Sequence, residues 1–284
     1  MGSIAGREHI LNLFVVDPDK CKRDGICVGE CPVQIIELKN RASLPELIPG
    51  GAELCINCGH CVSVCPHGAM SLKTMPSEQC PPLNRAILPT QQQIDHFLRS
   101  RRSSRVYKNN PIDKKNLASL IDIARFAPSG HNLQPVNWVV IQEKKELKRL
   151  AGIVIDWMRL MIDDNAPVAK AMHFDRAVDV WDKGTDRILR DAPCLIIAYG
   201  RSDLSASQPA CIIALTYLEL AAYSYGLGAC WAGYFNAAAN FHKPMQDALS
   251  LPEGHQCFGA MMIGYPKNRY HRLPMRNEAN IDWR

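Results

Sequence analysis

From residue 21 the chain reads CKRDGICVGECP, and thirty-four residues later, from residue 55, it reads CINCGHCVSVCP. Both stretches continue alike, as CPVQIIEL (31–38) and CPHGAMSL (65–72), with an apolar residue five places and Leu seven places beyond the cysteine. Self-similarity at a fixed offset signals two copies of one small unit, here a cysteine loop, a short helix and a strand. One position breaks the repeat: Asp24 stands where the second copy has Cys58. Seven of the twelve cysteines fall between Cys21 and Cys65, while Cys80, Cys194, Cys211, Cys230 and Cys257 are scattered. Disulfide scaffolds are short secreted chains with spread, paired cysteines, so tight C-x2-C runs in 284 residues point to metal instead.

Cys55, Cys58, Cys61 and Cys65 followed by Pro66 form a C-x2-C-x2-C-x3-C-P run. Three closely spaced thiolates wrap one iron–sulfur cubane, and the fourth, turned away at Cys-Pro, serves a second cluster. Structural zinc draws its ligands as two separated pairs and gives no reason for the prolines. Crossing the ligands gives one complete set, Cys55, Cys58, Cys61 and Cys31, and a second of Cys21, Cys27 and Cys65 with Asp24 at the open corner. Carboxylate is a harder ligand than thiolate and holds that iron less firmly. The second site is therefore expected to carry an Asp-ligated [4Fe–4S] cluster or a [3Fe–4S] cluster. The competing reading makes Asp24 a solvated loop residue and brings in Cys80. Residues 10–75 resemble the bacterial 2[4Fe–4S] ferredoxin family, which implies a small pseudo-twofold fold passing single electrons.

Past Met75 the segment PSEQCPPLNRAILPT holds four prolines and reads as a linker. From Gln91 the texture changes. Ile94, Phe97 and Leu98, then Leu117, Leu120, Ile121 and Ala124, recur at helical spacing, and strand-like runs follow at 137–142, 193–200 and 258–265. The expected organisation is an iron–sulfur domain at 1–76, a linker at 77–90 and an α+β domain at 91–284 with a mixed sheet flanked by helices. No G-x-G-x-x-G follows any of these strands, so no Rossmann dinucleotide site is indicated. A net charge of +5 is too mild to argue for nucleic acid. The apolar stretch 210–235 is broken by Glu219 and reads as a buried helix, not a membrane span. Residues 1–14 lack a secretory apolar core, and the expected location is the cytoplasm.

Within 91–284, RSRRSSR (99–105) offers paired guanidinium forks and a hydroxyl that suit a phosphate. It is followed by APSGHNLQPVNW (127–138), GLGACWAGY (226–234) and GYPKNRYHRLPMR (264–276). These four stretches, in this order, resemble the nitroreductase family of FMN enzymes. The resemblance implies a phosphate grip from Arg101, Ser103 and Arg105, with Arg102 beside it. It also implies flavin contacts from Pro128, Ser129, Asn132 and Gln134, with Asn132 at the polar edge of the ring. It places Cys230, Trp231, Ala232 and Gly233 against the flavin N5, with a backbone N–H from Ala232 or Gly233, and makes Arg272 the late phosphate-binding arginine. Tyr270 stands where a basic residue is common, so Lys267, Arg269 or His271 would compensate. Residues 151–190 lie where the family carries a variable lid.

In such enzymes the flavin performs the chemistry and the protein positions it, so no side-chain nucleophile is expected and Cys230 reads as a buried structural cysteine. Taken together, the two resemblances imply a homodimeric oxidoreductase in which iron–sulfur clusters feed FMN. FMN then reduces a small planar acceptor such as a nitroaromatic or quinone, with ferredoxin or NAD(P)H as donor. The alternative is a redox relay or sensor that passes electrons to a partner protein.

Overall fold

The computed structural model describes residues 13–284. The first twelve residues of the 1–76 segment, and most of the stretch read for a secretory signal, lie outside the described residues. Two compact units are present, one reaching Leu88 and including His131–Leu133, the other comprising Pro89–Gly130 and Gln134–Arg284.

The first unit contains β1 (Phe14–Val16), α1 (Ile26–Glu30), β2 (Ile36–Glu37), β3 (Glu46–Leu47), α2 (Gly51–Leu54), α3 (His60–Val64) and β4 (Met70–Leu72). The repeat is visible in the backbone. α1 starts at Gly25 with φ 73° and ψ 4°, and α3 at Gly59 with φ 73° and ψ 6°. They stop at Cys31 (φ −69°, ψ 111°) and Cys65 (φ −71°, ψ 110°). Only glycine takes that left-handed start at little cost, and at Gly59 an added Cβ would also lie 2.5 Å from the Met75 sulfur. Arg23 and Asn57, again thirty-four apart, share a positive φ, at 57° and 50°. β1 pairs antiparallel with β4, placing Phe14 opposite Leu72, and β2 pairs with β3. Ile35, Ile36, Val62, Met70 and Leu72 bury together with Cys27, Cys31 and Cys61. So small a core supplies little of the free energy of folding. The 77–90 stretch carries two single helical turns, Ser77–Gln79 and Arg85–Ile87.

The second unit begins with α4 (Gln91–Ser100), closed by a capping box. The Thr90 hydroxyl accepts from Gln93 N, and the Gln93 side chain accepts from Thr90 N at 2.8 Å. α5 (Lys114–Ala124) is capped by Asp113, whose carboxylate accepts from Lys115 N at 2.8 Å. Then come β5 (Asn137–Ile141), α6 (Lys144–Asp163), α7 (Pro167–Ala171), α8 (Phe174–Asp182), β6 (Cys194–Arg201) and α9 (Ser207–Ala222). β7 (Gly228–Trp231), α10 (Gly233–Phe241), α11 (Lys243–Leu249) and β8 (His255–Gly264) complete it.

The strand order is β5-β6-β8-β7. The α+β architecture is as expected, but every pairing among the described residues is antiparallel, where a mixed sheet was anticipated. Strand period two sorts the core. Leu195 and Ile197 join α6, α8 and α10 on one face, while Cys194, Ile196 and Ala198 join α5 and α9 on the other. α9 is a core helix, buried at Ala210, Cys211, Ala214, Leu215, Leu218 and Ala222. Among the described residues no helix is long and apolar enough to cross a membrane.

Candidate functional site

In the first unit the chain returns on itself so that each of two pockets draws cysteines from both loops. One pocket is lined by Cys31, Cys55, Cys58 and Cys61, and another by Cys21, Asp24, Cys27 and Cys65. Cys80 lines neither; its thiol donates to the Pro76 carbonyl at 3.4 Å. Asp24 is exposed, and one of its carboxylate oxygens accepts from Ile26 N at 3.1 Å. Two sulfurs also accept backbone N–H groups: Cys55 from Asn57 at 3.4 Å and Cys65 from Ala69 at 3.3 Å. Such bonds favour thiolate and tune a cluster's potential. Burial, reinforced by Cys58, Cys31 and Cys55, pushes the free Cys61 thiol up to about 11, while burial, Cys21, Asp24 and Cys65 raise Cys27. Both thiols therefore sit among the side chains of their own set.

Among the described residues no three His, Cys, Asp or Glu side chains gather closely enough for a single metal ion. Three or four cysteines drawn from both loops around one pocket are the donor chemistry of an iron–sulfur core. The walls of the two pockets differ. Leu13, Phe14, Ile35 and Ile56 line the all-cysteine pocket, whereas Lys22 and Arg23 line the one with Asp24.

In the second unit the flavin-type motifs divide between two cavities. The first, about 360 Å³, is lined by Arg101, Arg102, Ser104, Arg269 and Tyr270. The second, about 430 Å³, is lined by Arg105, Cys230, Trp231 and Gly233, together with Trp157, Phe174 and Tyr234. The Arg101–Ser103–Arg105 motif thus does not converge on one point. Arg101 instead donates from Nη1 to Glu219 Oε1 at 2.8 Å, and the Glu219 side chain is 7% exposed. Ser103 lines neither cavity; its carbonyl accepts from the Tyr270 hydroxyl at 3.2 Å. Arg269 shares the cavity of Arg101 and Arg102, whereas Arg272 is exposed and lines neither of the two.

β7 and α10 build the wall of the second cavity. Ala232 N–H is engaged in the sheet, donating to Ala260 O at 2.9 Å, so of the two expected N–H donors the exposed Gly233 is the remaining candidate. It is the first residue of α10, where N–H groups have no partner within the helix. An added Cβ at Gly233 would meet no protein atom within 4 Å. Cys230 is buried in the apolar core. Tyr107 donates its hydroxyl to Ser104 O, and burial raises its phenol despite the nearby charges of Arg190 and Arg105.

The 128–135 segment is backbone-strained, with positive φ at His131 (50°), Asn132 (53°) and Gln134 (47°), a feature that gathers at functional sites. The Ser129 hydroxyl pins it by accepting from Gln134 N at 2.9 Å. Asn132, anticipated at a flavin edge, belongs to the first unit, where its Nδ2 donates to Asn57 O at 2.8 Å and Ile56 O at 3.3 Å. Within the 151–190 lid segment, Trp157 and Phe174 pack with ring centroids 5.4 Å apart and planes tilted by 56°, and both line the second cavity, while Met158 is fully buried packing. Motif reading missed Glu219 as a partner of Arg101, and it missed Arg187 and Arg190, which also line the second cavity. DRILR between α8 and β6 has no recognisable spacing that could have marked them.

A two-pocket cysteine module and a helix-flanked antiparallel sheet with cationic clefts define an iron–sulfur redox protein. Residues 98–265 match the model of the nitroreductase family and residues 19–70 that of the 4Fe-4S dicluster domain. The chain belongs to the nitroreductase family, and it is an oxidoreductase carrying a dicluster module. The 5,6-dimethylbenzimidazole synthase of Rhodospirillum rubrum is 26% identical over 193 residues, covering 64% of this chain and 85% of that protein. The iodotyrosine deiodinase of Thermotoga neapolitana is 25% identical over 183 residues, covering 64% and 93%. A crystal structure of an FMN-bound nitroreductase from Bacteroides fragilis shares the fold. Its TM-score is 0.57 at 19% identity, over 67% of this chain and 97% of that one.

Proposed function

We propose that the protein is an FMN-dependent oxidoreductase in which two iron–sulfur clusters supply electrons to a flavin that reduces a small planar acceptor, a nitroaromatic or quinone. The observation that supports this most is the crossing of the cysteine loops into two separate ligand sets, carried on the same chain as a nitroreductase domain. Bound clusters supply one-electron transfer, and bound FMN supplies two-electron reduction of the acceptor. Joining both on one chain keeps donor and acceptor at high effective concentration.

Cys31, Cys55, Cys58 and Cys61 hold one [4Fe–4S] cluster. Cys21, Cys27, Cys65 and Asp24 hold the other, as [4Fe–4S] or [3Fe–4S]. In the cavity that they line together, Gly233, Trp231 and Arg105 would hold the FMN, Gly233 through its backbone N–H, Trp231 by apolar contact and Arg105 by its charge on the phosphate. Ser129 holds the strained 128–135 loop in shape. Arg101, Arg102 and Arg269 form a second cationic wall, within which Arg101 is already paired with Glu219. The donor is ferredoxin or NAD(P)H, and the assembly is a homodimer.

An anaerobic preparation tests the reading. The expected content is one FMN and about seven to eight iron atoms per chain, with flavin and cluster bands bleached by reduced ferredoxin or NAD(P)H. Stopped-flow mixing with a nitroaromatic or quinone should then reoxidise the flavin. A protein that binds zinc, or that fails to bleach, overturns the proposal. Reoxidation by a partner protein alone would establish a relay.

A further inference from the structure

Resting on the flavin assignment above, we infer that the acceptor is anionic, an aromatic carboxylate whose charge is received by Arg187 and Arg190. The cavity that holds Trp231 and Gly233 is lined by three guanidinium groups, Arg105, Arg187 and Arg190, and by no Asp or Glu. None of the three forms an ion pair among the described residues. Three guanidinium groups outside any ion pair, over apolar walls, focus a field that favours an anion, the Asp186 carboxylate of the same loop being spent on backbone N–H groups; guanidinium forks also match a carboxylate in two-point contact. Arg105 belongs to the phosphate motif; Arg187 and Arg190 lie outside every flavin motif, so their charge is left for the second occupant.

The loop that carries them is built rigidly. Asp186 is buried, and its carboxylate accepts from the backbone N–H of Ile188 at 2.7 Å, Leu189 at 3.0 Å and Asp191 at 3.4 Å. Ile188 and Leu189 are buried at 2% and 1% exposure, anchoring the loop between the two arginines. Arg190 and Asp191 are both held at positive φ, 60° and 50°, a cost that persists only where surroundings enforce it. Trp157, Phe174 and Tyr234 line the cavity with aromatic surface, their rings tilted or edge-on to one another, which gives an incoming ring apolar contact. A rigid cationic edge beside an aromatic-lined cavity suits an aromatic ring with a negative group on its rim.

The test compares 4-nitrobenzoate with its neutral isostere 4-nitrobenzamide on the FMN-loaded, cluster-containing protein, reading the perturbation of flavin absorbance on titration. The wild type should bind the carboxylate at least tenfold more tightly at low ionic strength. The ratio should fall to within twofold in Arg187→Gln/Arg190→Gln. Arg187→Gln alone, at an exposed side chain that folding tolerates, should lower it at least threefold. Equal binding of both compounds by the wild type overturns the inference, as does a preference that survives in the double variant. Loss of FMN from that variant also overturns it, because the two arginines would then serve the flavin phosphate. A wild-type protein without flavin bands would bring down the flavin assignment as well, and is told apart by its spectrum.

Discussion

Arg101 and Glu219 are 118 residues apart in the chain and 2.8 Å apart in space, and removing either one should have unequal effects. At that distance the Coulomb attraction is about 6 kcal/mol with an effective dielectric constant of about 20. Breaking a buried pair from one side costs about 3–5 kcal/mol, because a charge is left uncompensated. The Glu219 side chain is 7% exposed and Arg101 is 35% exposed, so water already screens one partner. Arg101→Ala should therefore destabilise the second unit by about 2–3 kcal/mol, with the carboxylate stranded beside the apolar face of α9. Glu219→Gln leaves a guanidinium that can turn to water, and should cost about 1 kcal/mol or less. All five tryptophans, at 138, 157, 181, 231 and 283, lie in the second unit, so their emission reports its unfolding alone. In urea the Arg101→Ala midpoint should fall by about 0.7–1 M, and Arg101→Ala/Glu219→Gln should recover most of that loss. A fall below about 0.2 M in Arg101→Ala, or equal losses in both single variants, would refute the reasoning.

Asp24→Cys should complete the second thiolate set and replace any [3Fe–4S] EPR signal with that of a [4Fe–4S] cluster; an unchanged spectrum would remove Asp24 from the site. Because the first unit has so small a core, stripping iron with a chelator under reducing conditions should unfold it while tryptophan emission from the second unit stays native. Gly228→Ala would place a Cβ 2.1 Å from the Ser104 hydroxyl oxygen, whereas at Gly233 the same Cβ meets no protein atom within 4 Å. The former should lower stability by about 1–3 kcal/mol, and the latter should leave stability within about 0.5 kcal/mol yet weaken FMN binding, as read by flavin fluorescence. Burial pushes the thiols of Cys194 and Cys211 up to about 12 and that of Cys257 to about 11, against 9.0 for a free thiol. The unfolded chain thus loses these protons at lower pH than the folded one. Stability should be full below pH 9 and fall above it by about 1.4 kcal/mol per pH unit for each thiol; a flat urea midpoint from pH 8.5 to 10.5 would count against this.

Read as sequence alone, this chain already disclosed its two-copy cysteine module. Ligand spacing, the left-handed glycines at 25 and 59 and the Cys-Pro stops act within a few residues of one another, so local geometry settles them. The same holds for the runs that became β5, β6 and β8 and for the apolar stretch that became α9, since periodicity is a property of the chain itself. β7 escaped notice because four residues are too few to show a period. Tertiary structure decided what depends on distant encounters. It gave Arg101 a carboxylate, drew Arg101 and Arg105 into different cavities, and engaged Ala232 N–H in the sheet while setting Gly233 in a cavity wall. It also brought Arg187 and Arg190 to the wall that holds Trp231. Local patterning sets which groups a segment carries, but the free energy of a charge or an N–H depends on the neighbour that reaches it, and chain separation does not encode that neighbour.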